Sequence, residues 1–193
     1  LDLNIGNSNR IIGILGLQGA CWKHRKILDL LKVNSEIVKY SGQVDSCDGL
    51  IIPGGESTTM LKLIDESGMR EKLKQFPGPI FGTCAGAILL SEESEDDKVK
   101  TLGRIPVKIE RNAYGRQVES FTQKVVLSFD KNPFPGVFIR APKISCYKKE
   151  IEILGKLNGE AVIVKYKNNL LTTFHPELTE DTRIHEYFLN SMF

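Results

Sequence analysis

Long apolar runs are missing from this 193-residue chain: no stretch approaches the roughly 18 consecutive apolar residues of a membrane span, so a membrane helix is excluded. The start, Leu1-Asp2-Leu3-Asn4, has neither the basic nor the apolar region of a secretory signal, and the expected location is cytoplasmic. Charge of one sign is scarce as well. Lys and Arg number 26 against 24 Asp and Glu, and a formal charge of +2 gives no argument for nucleic acid or an anionic membrane as partner. Histidine occurs only three times, and the four cysteines include no C-x-x-C pair and no nearby histidine ladder, so no metal is expected. Cys21, Cys47, Cys84 and Cys146 are expected to be thiols, since disulfides belong to exported chains. There is no internal repeat. With 41% apolar and 26% charged residues, the composition excludes disordered, fibrous and disulfide-scaffold classes.

What is present fits one domain over residues 11–193, preceded by a flexible lead of residues 1–10 rich in Asn, Gly and Ser. Ile11-Ile12-Gly13-Ile14-Leu15 is a short continuous apolar run, the mark of a strand buried on both faces. A helix carrying Ile27, Leu28, Leu30 and Leu31 follows. Strands are expected at 35–40, 49–53 and 79–83, with a helical rhythm over Thr58 to Gln75 between the last two. The alternation predicts a three-layer α/β/α sandwich around a mostly parallel sheet. Residues 107–110, 124–127, 136–139, 151–154, 161–166 and 170–174 are short strand candidates, several of them expected as antiparallel additions, and Thr182 to Phe193 reads as a closing helix. The acidic stretch Glu92 to Asp97 is expected to be an exposed loop.

Gly82-Thr83-Cys84-Ala85-Gly86 has the G-x-nucleophile-x-G pattern and falls where a strand should meet a helix over Ala85 to Leu90. Small neighbours suit a strained backbone there, and a helix N-terminus favours a thiolate. The same five residues also fit a non-catalytic turn around a buried apolar cysteine, which is the reading for Cys21, Cys47 and Cys146. A second signal is Phe174-His175-Pro176-Glu177 after a strand. In extended chain residues i and i+2 share a side, and Pro176 steers His175 away from helix, so Glu177 can orient the imidazole while His175 takes a proton from Cys84. His24, in a basic helical stretch, and His185, in the terminal helix, lack comparable local geometry. Pro53-Gly54-Gly55-Glu56-Ser57 is either a tight turn or half of an oxyanion hole, with the Gly55 and Ala85 amides as donors worth about 3 kcal/mol each.

Taken together, Leu15-Gly16-Leu17-Gln18-Gly19-Ala20, Pro53 to Thr59, Gly82 to Gly86, Glu110-Arg111-Asn112 with Tyr114-Gly115-Arg116-Gln117, Ile139-Arg140-Ala141-Pro142 and Phe174 to Thr179 closely resemble the glutaminase subunit of the ribose-5-phosphate-dependent pyridoxal 5′-phosphate synthase, a class I glutamine amidotransferase. The likeness runs from about residue 11 to the end. It implies a Cys84, His175, Glu177 triad acting on L-glutamine without a cofactor, contacts to glutamine from Gly55, Glu56 and Ser57, and help from Arg111, Ile139 and Arg140 at the substrate's amino-acid end. It implies as partner a (β/α)8-barrel synthase subunit that receives the ammonia, with Gln18 near that interface. Alternatives are the glutaminase subunit of another pathway, such as imidazole glycerol phosphate synthase, a non-catalytic regulatory subunit of the same fold, and a cysteine peptidase on a similar sheet.

Overall fold

The computed structural model describes residues 10–95, 100–111 and 120–193, so the N-terminal lead lies outside the described residues except for Arg10. Five short strands, β1 (Ile11–Leu15), β2 (Asn34–Val38), β3 (Gly49–Ile52), β4 (Ile80–Thr83) and β12 (Asn169–Thr172), lie side by side in the order β2-β1-β3-β4-β12, every neighbour parallel. From β12 the same sheet continues antiparallel through β11 (Glu160–Tyr166), β10 (Glu152–Leu157), β7 (Ser120–Leu127) and β8 (Phe134–Ile139). A second sheet is built from β5 (Ser91–Ser94), β6 (Ile105–Glu110) and β9 (Lys143–Tyr147).

Continuous apolar runs follow from burial of both faces. In β3, Leu50 and Ile52 join one core while Ile51 between them joins the other, as the two-residue period of a strand requires. One core takes Ile27 and Leu28 of α1 (Cys21–Leu30) and Ile184, Phe188 and Leu189 of α6 (Arg183–Ser191). The opposite core takes Met60, Leu61 and Ile64 of α3 (Ser57–Glu66), Leu73 of α4 (Arg70–Gln75), Leu89 and Leu90 of α5 (Ala85–Leu90), and Ile105, Val107 and Ile109 of the small sheet. The expected three-layer α/β/α arrangement is therefore present, its sheet parallel in one half and antiparallel in the other.

Several local expectations change. The helical rhythm over Thr58 to Gln75 is broken into α3 and α4. Gly68 adopts φ +68°, its N–H donates to Asp65 O at 3.1 Å and that of Met69 to Ile64 O at 3.0 Å, the paired bonds of a Schellman C-cap. A Cβ on Gly68 would meet nothing within 4 Å, so only backbone strain opposes it. Gly68→Ala is expected to lower stability by about 1 kcal/mol, as urea unfolding would check.

The acidic stretch is not a loop at its start, because Ser91–Ser94 forms β5 beside β6. Its carboxylates are balanced across strands, Glu93 by Lys108 at 3.9 Å and Glu92 by Lys148 at 2.9 Å; Asp96 and Asp97 lie outside the described residues. Strand β9 buries only Ile144, which explains why no apolar pattern announced it, and α2 (Ser41–Val44) is equally short of signal, burying Val44 alone. Of the cysteines read as small buried residues, Cys47 is buried, Cys21 is half-buried and Cys146 is exposed on β9, where a register shift between it and Ile144 pairs it with exposed Lys108. No helix among the described residues is long and apolar enough to cross a membrane.

Candidate active site

Strand β4 ends at Thr83, and the chain enters α5 through Cys84 at φ 50° and ψ −106°. That conformation costs about 1–3 kcal/mol in a residue with a side chain and persists because the surroundings hold it, here a bond from Cys84 N–H to Thr172 O on β12 at 2.9 Å. Ala85 is the first residue of α5, so its N–H has no carbonyl partner within the helix. The sulfur contacts the Ile139 carbonyl at 3.8 Å.

Beyond β12, Phe174 is buried against Phe134 and Phe138, and the His175 N–H donates to Val137 O of β8 at 2.9 Å, fixing where the imidazole emerges. The segment that follows is not extended. Pro176–Leu178 is a 3-10 turn with proline at its first position, where a missing N–H costs nothing, and His175 before it stays non-helical at φ −104°, ψ 86°. This tighter path still brings His175 Nδ1 to 2.7 Å from Glu177 Oε1. Nδ1 being so engaged, Nε2 is left for the sulfur.

The electrostatics follow the same line. Burial disfavours the His175 cation, but the hydrogen bond to Cys84 and the bond to and charge of Glu177 outweigh it and push its pKa up to about 10. Burial also works against a charge on Glu177, yet its carboxyl is held below its usual range by the positive potential of His24 and by the hydrogen bond and charge of His175. For His24 burial wins over the pull of Glu177, and for His185 burial, reinforced by His24, brings the pKa down to about 3.

Cys84 and His175 share the wall of a cavity of about 490 Å³ with Gly55, Ala85, Glu56 and Ser57. Arg111, Ile139 and Arg140 line it as well. Glu177 stands behind His175, buried. Gln18 is next to the cavity: its side-chain carbonyl accepts the Glu56 N–H at 3.1 Å. Glu56 also caps α3, accepting from Thr58 N at 3.1 Å and Thr59 N at 2.7 Å, and faces Arg111 Nη2 at 3.1 Å. Despite the opposing effect of desolvation, the bonds from Thr59 and Thr58 bring its pKa down to about 2. Arg104 lies apart from the cavity, committed to the carbonyls of Leu73, Lys74 and Phe76 at the end of α4. Arg116, Asn112, Tyr114, Gly115 and Gln117 lie outside the described residues.

Gly54, beside Gly55 in the loop after β3, lies tight against the imidazole. A Cβ there would sit 2.3 Å from His175 Cε1 and 3.2 Å from Cys84 Cβ. Gly54→Ala must displace the imidazole, and since a misplacement of about 1 Å costs about 100-fold, turnover at this site should fall by at least that factor. Steady-state kinetics showing a native kcat would contradict it.

Two histidines set aside in the sequence are fully buried behind the site. His24 Nδ1 lies 2.9 Å from His185 Nε2, and His24 Nε2 lies 3.3 Å from Thr83 Oγ1 and 3.5 Å from Glu177 Oε2. The signal was available: Ile27 and Leu28 stand three and four residues beyond His24, and Phe188 and Leu189 three and four beyond His185, so each histidine shares the buried stripe of its helix.

A sheet of this order bearing a cysteine on a strained strand-to-helix bend places the protein among the glutamine amidotransferases: the chain belongs to the SNO glutamine amidotransferase family, whose sequence model matches residues 14–193. Its relatives include the protein named "Pyridoxal 5'-phosphate synthase subunit PdxT" from Thermosipho africanus, 47% identical over 93% of this chain and 97% of that one. The subunit of the same name from Thermotoga petrophila is 49% identical over 92% of this chain and 97% of its own length. A crystal structure described as a glutamine amidotransferase superposes with a TM-score of 0.87 at 39% identity, covering 92% of this chain and 96% of that one.

Proposed function

We propose that this protein is the glutaminase subunit of a pyridoxal 5′-phosphate synthase, hydrolysing L-glutamine to glutamate and ammonia and delivering the ammonia to a synthase subunit. The observation that carries the reading is the shared cavity wall of Cys84 and His175, with Glu177 2.7 Å behind the imidazole. The names borne by relatives at nearly half identity favour pyridoxal phosphate synthesis over another amidotransferase pathway.

In this mechanism the Cys84 sulfur, having given its proton to His175, attacks the carboxamide carbon of glutamine. The oxyanion is received by the N–H groups of Gly55 and Ala85, and imidazolium His175 protonates the departing nitrogen, which leaves as ammonia. A γ-glutamyl thioester remains on Cys84. Neutral His175 then takes a proton from water, the hydroxyl adds to the thioester carbon, the C–S bond breaks, and glutamate leaves with the sulfur restored. Glu177 holds the ring tautomer throughout. Glu56 and Ser57 contact the substrate, while Arg111, Ile139 and Arg140 hold its amino-acid end, a guanidinium fork suiting the carboxylate.

Ammonia released into water near neutral pH is protonated and lost as a nucleophile, so the chemistry favours a docked acceptor. The partner is a (β/α)8-barrel synthase subunit, and Gln18, bonded to the oxyanion loop at Glu56, sits where docking can act on the site. One amidotransferase domain over residues 11–193, working in the cytoplasm, carries the activity. The test mixes the protein with glutamine, the synthase subunit and its pentose and triose phosphates, and measures ammonia and pyridoxal phosphate together. Both should form, faster than without the synthase subunit; ammonia with no pyridoxal phosphate would place the subunit in another pathway, and no ammonia would remove the reading.

A further inference from the structure

Each oxygen of the Glu177 carboxylate faces its own imidazole. Oε1 takes the Nδ1–H of His175 at 2.7 Å. Oε2 is buried and has no hydrogen bond of ordinary geometry among the described residues; His24 Nε2 stands 3.5 Å from it, and both side chains are fully shielded from solvent. A buried carboxylate oxygen without a donor costs about 1–3 kcal/mol or more, so the state of that nitrogen matters.

We propose that His24 is a positioning residue for Glu177: held as the neutral Nε2–H tautomer by His185, it directs its N–H at the second carboxylate oxygen and so fixes the carboxylate that orients His175. The inference rests on the reading of Cys84, His175 and Glu177 as the hydrolytic triad.

Two independent observations select the tautomer. Were His24 protonated on Nδ1 instead, its Nε2 lone pair would face Oε2, two acceptors opposed in a dry interior. That Nδ1–H would also donate to His185 Nε2, forcing the His185 proton onto Nδ1, a buried atom with no partner among the described residues. An orphaned buried N–H is rare and costly. In the opposite arrangement the His185 Nε2–H donates to His24 Nδ1 at 2.9 Å, the bare His185 Nδ1 is only an unused acceptor, and the His24 Nε2–H is shared between Thr83 Oγ1 at 3.3 Å and Glu177 Oε2 at 3.5 Å. Each imidazole N–H in the line then has an acceptor. Thr83 immediately precedes Cys84, so the same N–H ties the strand that carries the sulfur to the carboxylate that aligns its base.

Nitrogen-15 NMR of the histidine rings in the unmodified protein tests the tautomer without any substitution. His24 and His185 should both be neutral and protonated on Nε2; a His24 protonated on Nδ1 overturns the proposal. Kinetics of the complex with the synthase subunit test the role. His24→Leu should lower kcat for glutamine hydrolysis by about 10–100-fold with KM within about threefold, the scale on which partners of site ligands act. His24→Gln, which offers an amide N–H near the position of Nε2, should recover kcat to within about fivefold of the native value, a rescue that a merely structural role would not give. A folded His24→Leu protein with native kcat, or a His24→Gln protein no faster than it, contradicts the proposal; if His24→Leu fails to fold, the ring tautomer and the His24→Gln rate decide. The triad reading stands or falls separately on Cys84→Ala, so an enzyme that needs Cys84 but carries a Nδ1-protonated His24 removes this inference alone.

Discussion

Cys84→Ala is expected to reduce glutamine hydrolysis by at least about 10,000-fold while the protein keeps its fold, because a nucleophile acting in one unit with its base accounts for most of the rate that the unit supplies. The substitution deletes a single sulfur at a cavity wall. The strained backbone at φ 50° persists, since alanine meets the same strain as cysteine and the bond from residue 84 to Thr172 O is made by the main chain. Circular dichroism and the urea midpoint should therefore be close to native. Retained hydrolysis in a preparation free of the native enzyme would exclude Cys84 as the attacking atom.

Glu177→Gln should cost about 1,000-fold or more in kcat, through tautomer and charge together. Glutamine fills the same space, but its amide can place an N–H where Oε1 now accepts from His175 Nδ1 at 2.7 Å, and an imidazole that must accept at Nδ1 carries its proton on Nε2, where a base is needed. The substitution also removes a charge and a hydrogen bond that raise the His175 pKa, leaving burial and the interaction with Cys84 to compete. The sign is therefore downward: titration of the His175 ring by NMR should move from about 10 in the native protein to a lower value in the variant. An unshifted His175 with native kcat would mean that the carboxylate does not govern the ring.

The parallel half of the fold was legible because burial on both faces writes itself as short apolar runs bounded by glycine, as at Ile11 to Leu15 and Leu50 to Ile52. What escaped was structure with little burial behind it. Strand β9 buries Ile144 alone, β5 is written in acidic residues that face Lys108 and Lys148, and the break at Gly68 depends on a left-handed cap that apolar spacing does not encode. At the site, Cys84 and His175 were visible through residue type and local motif, and the structure brings them to one cavity. Their support was visible only in part. Glu177 was found from its spacing to His175, by way of an extended segment that is in fact a 3-10 turn. His24, in a basic helical stretch, was passed over for lacking local geometry like that of His175, although its spacing to Ile27 and Leu28 places it on the buried face. A charged neighbourhood in sequence says little about the one residue per turn that faces inward.

Everything in the mechanism requires Cys84 to form a covalent bond to the γ-carbonyl of glutamine. Acid quenching of the complex with its synthase subunit during turnover, followed by peptide mass spectrometry, reads this directly. A γ-glutamyl group should be found on the peptide containing Cys84 and on none containing Cys21, Cys47 or Cys146, and it should vanish in Cys84→Ala. Turnover at a native rate with the acyl group on another residue would contradict the account.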